Sequence, residues 1–263
     1  MGNKQGVLKS IYSNKRTSHL KDNKRSATPL PKSIELTKDV LMNPSMFEFH
    51  QIIGKGGFGK VYKVTLKKNK KLYALKKISK AKIIDKKSEK SIKNERDILC
   101  KISHPFIVKM HFSFQDNEFL YIAFDLLEGG DLRFHLSKQV RFGENQTKFY
   151  VGSVILALEY LHVNNIIHRD LKPENLVLDK EGYVKLTDFG IAKVCSLTDT
   201  KETSGTLGYM SPEVLSGNGH TLVVDYFSLG ILTFEFMLGV RPVSAKNISE
   251  LREKLLNKQI TVS

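Results

Sequence analysis

Apolar positions begin to recur at strand spacing from Met46 onward. Phe47, Phe49 and Ile52 lead into a glycine cluster, and Val61, Tyr62, Val64 and Leu66 carry the pattern beyond it. This predicts strand, glycine turn, strand. A Lys-rich turn, Lys67 to Lys71, opens onto another strand, Lys71 to Lys76, and a helical stretch follows from about Ser88 to Ile102 with Ile92, Leu99 and Ile102 near one face. Phe106 to Phe114 and Phe119 to Leu126 read as two more strands. Past Gly129 and Gly130 the spacing turns helical, through Phe149, Val151, Val154, Ile155, Leu158, Tyr160 and Leu161. The expected fold class is α+β, a β-rich front and an α-rich back without a solenoid repeat. Residues 1–46 differ: they are rich in Lys, Ser, Asn and Thr, carry Pro29, Pro31 and Pro44, and show no sustained apolar period. Such a segment cannot offset its ordering entropy by burial, so a basic, disordered arm is expected there.

Composition adds bounds. The chain has 263 residues, 41% of them hydrophobic, enough for the core of one large domain or two small lobes. A formal charge of +15 favours acidic partners such as anionic lipid, nucleic acid or acidic protein surfaces; a solvated basic face is the blander alternative. The two cysteines, Cys100 and Cys195, exclude a disulfide framework and a cysteine zinc site, and read as ordinary buried or half-buried thiols of a reducing compartment. No stretch approaches the roughly 18 apolar residues of a membrane span, and the start lacks the apolar core of a secretory signal, so a soluble cytoplasmic protein is expected. Met1-Gly2-Asn3-Lys4-Gln5-Gly6 resembles an N-myristoylation site with Gly6 where Ser or Thr belongs. Peripheral membrane contact through this arm therefore stays open beside a plain tail, and nucleic acid is not expected as a partner.

The glycine cluster, Gly54-Lys55-Gly56-Gly57-Phe58-Gly59-Lys60-Val61, satisfies G-x-G-x-x-G. A P-loop would need Ser or Thr at Val61, and both it and a dinucleotide fold would need a helix next. The next segment is β-like, which favours a hairpin lid over a triphosphate; a merely flexible hairpin is the alternative. Glycines would let the backbone approach phosphate oxygens and adopt positive φ. On the following strand, Lys76 of Ala74-Leu75-Lys76 can reach back toward phosphates, and a carboxylate on the next helix, Glu95 or its competitor Glu89, could hold its ammonium.

His168-Arg169-Asp170-Leu171-Lys172-Pro173-Glu174-Asn175, then Asp188-Phe189-Gly190, then Ser211-Pro212-Glu213 decide the matter. Together with the glycine turn they resemble, in order, the catalytic loop, metal-binding motif and slightly altered A-P-E of the protein kinase superfamily, over about Phe47 to Gly239. Lys172 and the pair Gly205-Thr206 resemble its Ser/Thr members. Asn94-Glu95-Arg96-Asp97-Ile98-Leu99, His104-Pro105-Phe106-Ile107-Val108 and Phe112-Ser113-Phe114 resemble the AGC group, which favours Glu95 over Glu89; the myristoyl-like start weakly resembles its YANK branch. The resemblance implies a two-lobed fold, with an antiparallel β-rich N-lobe carrying one main helix (47–124), a hinge (125–128) and a mainly α-helical C-lobe (129–263).

What the resemblance implies for chemistry is specific. Asp170 would take or orient the substrate hydroxyl proton, Lys172 would neutralise the transferred group, and Asn175 and Asp188 would hold Mg2+ on ATP. Ile53, the glycine turn from Gly54 to Val61, Ala74, Lys76, Asp125, Leu127, Asp131 and Val177 would form the nucleotide site, with Phe124 as gatekeeper and Asp125-Leu126-Leu127 as hinge. Arg169 would anchor the activation segment, and His168 and Phe189 would pack in an apolar column. Acidic Asp131, Glu174 and Glu235 suggest a basic Ser/Thr peptide substrate; internal ion pairs or exposure to water are the alternatives.

The chain also departs from the family. Glu202 stands where many AGC kinases carry a phosphorylated threonine, and Thr198, Thr200, Thr203 and Ser204 surround it. Ser211 replaces Ala, and Phe227 stands in for tryptophan in Asp225-Tyr226-Phe227-Ser228-Leu229-Gly230. Only Val240 to Ser263 follow Gly239, so by this resemblance the late C-lobe helices and the usual arginine partner of Glu213 are expected to be missing. The C-lobe is thus expected to be incomplete, either as a fragment of a longer reading frame, the preferred account, or as a truncated paralogue. A nucleotide-binding pseudokinase or scaffold is the rival function.

Overall fold

The computed structural model describes residues 42–195, 203–217, 219 and 221–257. The expectations for the arm before Met42, the acylation site, Thr198, Thr200 and Glu202 lie outside the described residues. The described chain divides into two compact units. One comprises residues up to Glu89 together with Met110–Phe124, the other Lys90–Lys109 together with Asp125 onward.

The first unit is a five-stranded antiparallel sheet of order β1-β2-β3-β5-β4, built from β1 (Phe47–Lys55), β2 (Gly59–Leu66), β3 (Lys71–Ser79), β4 (Met110–Gln115) and β5 (Phe119–Phe124). Alternation puts Val64, Leu66, Tyr73, Leu75, Phe114, Tyr121 and Ala123 with Phe47 in one buried cluster. Phe114 stacks on Phe47 at 5.6 Å and on Tyr121 at 4.8 Å, geometry that adds to plain area burial. A short helix, α1 (Lys80–Asp85), follows β3 and is capped by the Ser79 hydroxyl. Six residues with one buried apolar side chain, Ile83, leave too little periodic pattern to be read in advance.

The second unit is mainly helical: α2 (Glu89–Leu99), α3 (Leu132–Gln139), α4 (Glu144–Val163), α5 (Pro212–Leu215), α6 (Val223–Leu238) and α7 (Ile248–Asn257), with two-stranded sheets β6 (Ile166–Ile167) with β9 (Lys193–Val194) and β7 (Leu176–Leu178) with β8 (Val184–Leu186). Helices α4 and α6 pack together, and Phe142, Tyr150 and Phe236 form an aromatic cluster with centroids 5.1 to 6.5 Å apart. Gly239 ends α6 in a left-handed turn at φ 76°, and a Cβ there would lie 2.5 Å from the Val140 carbonyl oxygen, so only glycine fits.

Several expectations shift. The strand expected from Phe106 begins only at Met110, because Phe106 and Val108 instead bond the Leu186 main chain of β8 at 2.8 and 3.0 Å. The helix expected to Ile102 ends at Leu99, although Ile102 is still buried. On α4, Val154, Leu158 and Leu161 are buried while Phe149 and Ile155 stand exposed, so the core stripe is narrower than the apolar spacing. Cys100 is exposed, not buried. Glu213, whose usual arginine partner was expected to be missing, is half-buried. Among the described residues no helix is long and apolar enough to cross a membrane.

Candidate functional site

In the first unit, β1 and β2 run in register through Gly54 opposite Val61 and Lys55 opposite Lys60. Gly56 and Gly59 close the turn by exchanging main-chain hydrogen bonds of 2.9 and 3.3 Å. None of Gly54, Gly56, Gly57 and Gly59 takes the positive φ expected of it. Space is the reason for glycine here. A Cβ on Gly59 would lie 1.9 Å from the Lys77 carbonyl oxygen, whereas one on Gly56 would meet nothing within 4 Å. The turn thus carries open backbone at Gly56 and a tight sheet contact at Gly59. Phe58 is bracketed: its carbonyl accepts from Ser79 N at 3.0 Å, and Lys86 Nζ sits 5.2 Å from its ring centroid while donating to Gly57 O at 3.3 Å. Val61 lies directly opposite Lys76, and Lys63 opposite Ala74. Lys76 is half-buried and Ile53 exposed.

In the second unit the segment after β6 carries the charged groups. Asp170 is buried, and its carboxylate has three donors: Thr206 Oγ1 to Oδ1 at 2.6 Å, Lys172 Nζ to Oδ2 at 2.6 Å, and Asn175 Nδ2 to Oδ2 at 3.0 Å. Burial alone would raise the Asp170 carboxyl. The hydrogen bonds from Lys172 and Thr206 and the charge of Lys172 outweigh it and hold the group below its ordinary value. Lys172 Nζ also donates to Thr206 Oγ1 at 2.9 Å, closing a ring of three side chains.

Asn175 donates again to the Asp170 main-chain oxygen at 2.8 Å, which occupies its amide nitrogen and reserves its amide oxygen for an electron-poor partner. Asp188 is brought near by the β7–β8 hairpin. Leu176 pairs with Leu186, and Thr187 bonds the Asn175 carbonyl twice, from N at 2.9 Å and Oγ1 at 3.1 Å. Asp188 itself is exposed, has φ 61°, and accepts from Gly190 N at 3.2 Å through Oδ1. One carboxylate and one amide oxygen suit a hard divalent cation that takes its remaining ligands from phosphates and water, as Mg2+ does. Among the described residues no cluster of three or more His, Cys, Asp or Glu could hold a metal alone, and such a site needs none.

Two residues that sequence reasoning left out of the site complete it. Thr206, noted only as a mark of hydroxyl preference, bonds both Asp170 and Lys172. Asp225, fully buried at 0% exposure in the first turn of α6, accepts from His168 N and Arg169 N at 2.9 Å and meets His162 Nε2 at 2.8 Å. It thereby fixes Arg169 at φ 68°, a conformation that costs about 1–3 kcal/mol without such support. No local signal marks this contact, which spans more than fifty residues. His168 is fully buried, edge-on to Phe189 at 5.0 Å, a packing position.

The other sequence candidates fall into place singly. Glu95 is buried on α2 at 2% exposure. Asp125 N bonds the Lys109 carbonyl at 3.1 Å, and Leu127 follows in irregular chain before Gly129. Asp131 bridges to Val177 and caps α3, accepting from Phe134 N at 2.8 Å. Glu174 and Glu235 both pair with Arg133 at 3.0 Å, and Tyr209 donates to Glu235 at 2.5 Å. Burial, reinforced by that bond, pushes the Tyr209 hydroxyl well above its ordinary value. The acidic trio is therefore partly spent on internal structure, with two carboxylates sharing one guanidinium.

Comparison with known proteins agrees in extent. The protein kinase domain profile matches residues 47–263. A probable serine/threonine-protein kinase of Dictyostelium discoideum is 45% identical over 238 residues, 88% of this chain and 52% of that protein. The RAC family serine/threonine-protein kinase homolog of the same organism is 41% identical over 218 residues, 82% of this chain and 49% of its own. Human ribosomal protein S6 kinase alpha-3 is 44% identical over 223 residues, 83% of this chain and 30% of its own. The chain thus spans about half the length, or less, of these curated relatives.

Proposed function

Since the chain belongs to the protein kinase domain family, on its serine/threonine, AGC-like side, we propose that it is an ATP- and Mg2+-dependent kinase that phosphorylates Ser or Thr hydroxyls of proteins. The observation that carries this reading is the Asp170 carboxylate, kept ionised and aimed by Lys172, Thr206 and Asn175. Positioning and charge neutralisation do most of the catalysis in phosphoryl transfer, so a fixed acceptor beside a fixed cation is the arrangement the reaction needs.

In this reading the substrate hydroxyl gives its proton to Asp170 as its oxygen bonds the γ-phosphorus and the bond to ADP breaks. Lys172 offsets charge on the transferred group, and Thr206 holds Asp170 and Lys172 together. Asn175 and Asp188 hold the divalent cation, which when bound offsets phosphate charge. The glycine turn, Ile53, Val61, Ala74, Asp125, Leu127, Asp131 and Val177 bind the nucleotide, Lys76 its phosphates, and Glu95 supports Lys76. A basic substrate residue is recognised chiefly by Glu174, whose side chain is 45% exposed, because Glu235 is buried under Arg133 and Tyr209.

The test separates turnover from mere binding. Purified chain with labelled ATP, Mg2+ and an Arg-flanked Ser peptide transfers label, and Mg-ATP raises its melting temperature. A thermal shift with no transfer would replace this reading by the nucleotide-binding scaffold.

A further inference from the structure

Three consecutive main-chain carbonyls, those of Gly190, Ile191 and Ala192, each accept a hydrogen bond from a side chain remote in sequence. Ser91 Oγ donates to Gly190 O at 2.6 Å, Arg169 Nε to Ile191 O at 2.6 Å, and Asn94 Nδ2 to Ala192 O at 2.5 Å. All of these residues belong to the second unit. Ser91 and Asn94 lie about one turn apart on α2, on the stripe that also carries buried Glu95 and Ile98. Side-chain donors that grip successive carbonyls restrict a segment without regular structure to one path, because each bond tolerates only a few tenths of an ångström.

That path leads straight to Asp188. Gly190 N donates to Asp188 Oδ1, while the Gly190 carbonyl is the one Ser91 holds. Ala192, held by Asn94, closes a turn back onto the Phe189 carbonyl at 3.1 Å. Asp188 sits at φ 61°, a conformation that must be maintained by its surroundings. We propose that Ser91 and Asn94 are positioning residues for Asp188. Through the Gly190 and Ala192 carbonyls they fix the backbone that aims this carboxylate, which makes helix α2 part of the support of the cation site. The proposal rests on the assignment of Asp188 to the cation made above.

Hydrogen exchange and nucleotide binding on the full chain test this without relying on catalysis. In the Ser91→Ala/Asn94→Ala variant, the Gly190 and Ala192 amides exchange about fivefold faster, in keeping with the net worth of one hydrogen bond. The Mg2+ concentration that half-saturates ATP binding rises about fivefold, the net worth of one hydrogen bond carried through the backbone to Asp188. ATP affinity without Mg2+ is unchanged, β2 and β3 amides keep their protection, and Ser91→Thr, which retains the hydroxyl, behaves as the native chain. Unchanged exchange at Gly190 and Ala192 overturns the clamp. Faster exchange with an unchanged Mg2+ requirement overturns its link to Asp188. Asp188→Asn serves as the reference: if it leaves the Mg2+ requirement untouched, the cation assignment fails and the positioning role falls with it, while the exchange data still judge the clamp. Should the double variant not fold, Ser91→Ala alone carries the same measurements.

Discussion

Asp170 shows how three neighbours set the state of one carboxylate. Burial favours its neutral form, yet Lys172 and Thr206 bring it below the ordinary carboxylate range. The unfolded chain, with an Asp near about 3.9, binds that proton more readily than the folded chain. The group therefore adds stability above about pH 4, and that contribution is lost as pH falls through the lower folded-state value. Denaturant midpoints of the native chain and Asp170→Asn should differ most at pH 7 and draw together as pH falls below about 4. Arg133 presents the opposite case, one cation serving two carboxylates. Replacing it by Met strands Glu235, whose side chain is only 6% exposed. A loss of about 2–3 kcal/mol is expected in urea unfolding, below the usual cost of breaking a buried pair because the Arg133 side chain is itself 34% exposed.

Among the elements, the glycine turn separates two uses of one residue type. Gly59→Ala forces a Cβ into the Lys77 carbonyl and should cost about 2–4 kcal/mol in thermal unfolding, the range of steric and backbone defects. Gly56→Ala meets open space, so stability should stay within about 0.5 kcal/mol while ATP affinity falls. Equal effects of the two on stability would refute this division. The same contrast explains what could be read in advance. The segment from His168 to Asn175 stands out as a candidate site because its charged and amide residues are contiguous in sequence, and β2 and β3 were legible because period-two alternation survives on a half-buried sheet. Asp225 was not, since its carboxylate acts on His168 and Arg169 only after α6 has packed. The Phe106 to Val108 run was misread because a short buried apolar stretch looks alike whether it joins the main sheet or, as here, bonds β8. Helix α1 escaped because its cap, Ser79, belongs to the preceding strand.

At the scale of the molecule, each unit folds around its own elements, a twisted antiparallel sheet in one and the α4–α6 pair in the other. Family membership assigns both to one protein kinase domain. Whether this chain turns over is a property of that whole. The most direct measurement compares phosphate transfer from labelled ATP to a Ser peptide by the native chain and by Asp170→Ala, both checked for intact folding and Mg-ATP binding. Loss of the acceptor carboxylate should slow transfer by at least about a hundredfold with binding retained. Equal rates for the two proteins would contradict the role given to Asp170 and the account built on it.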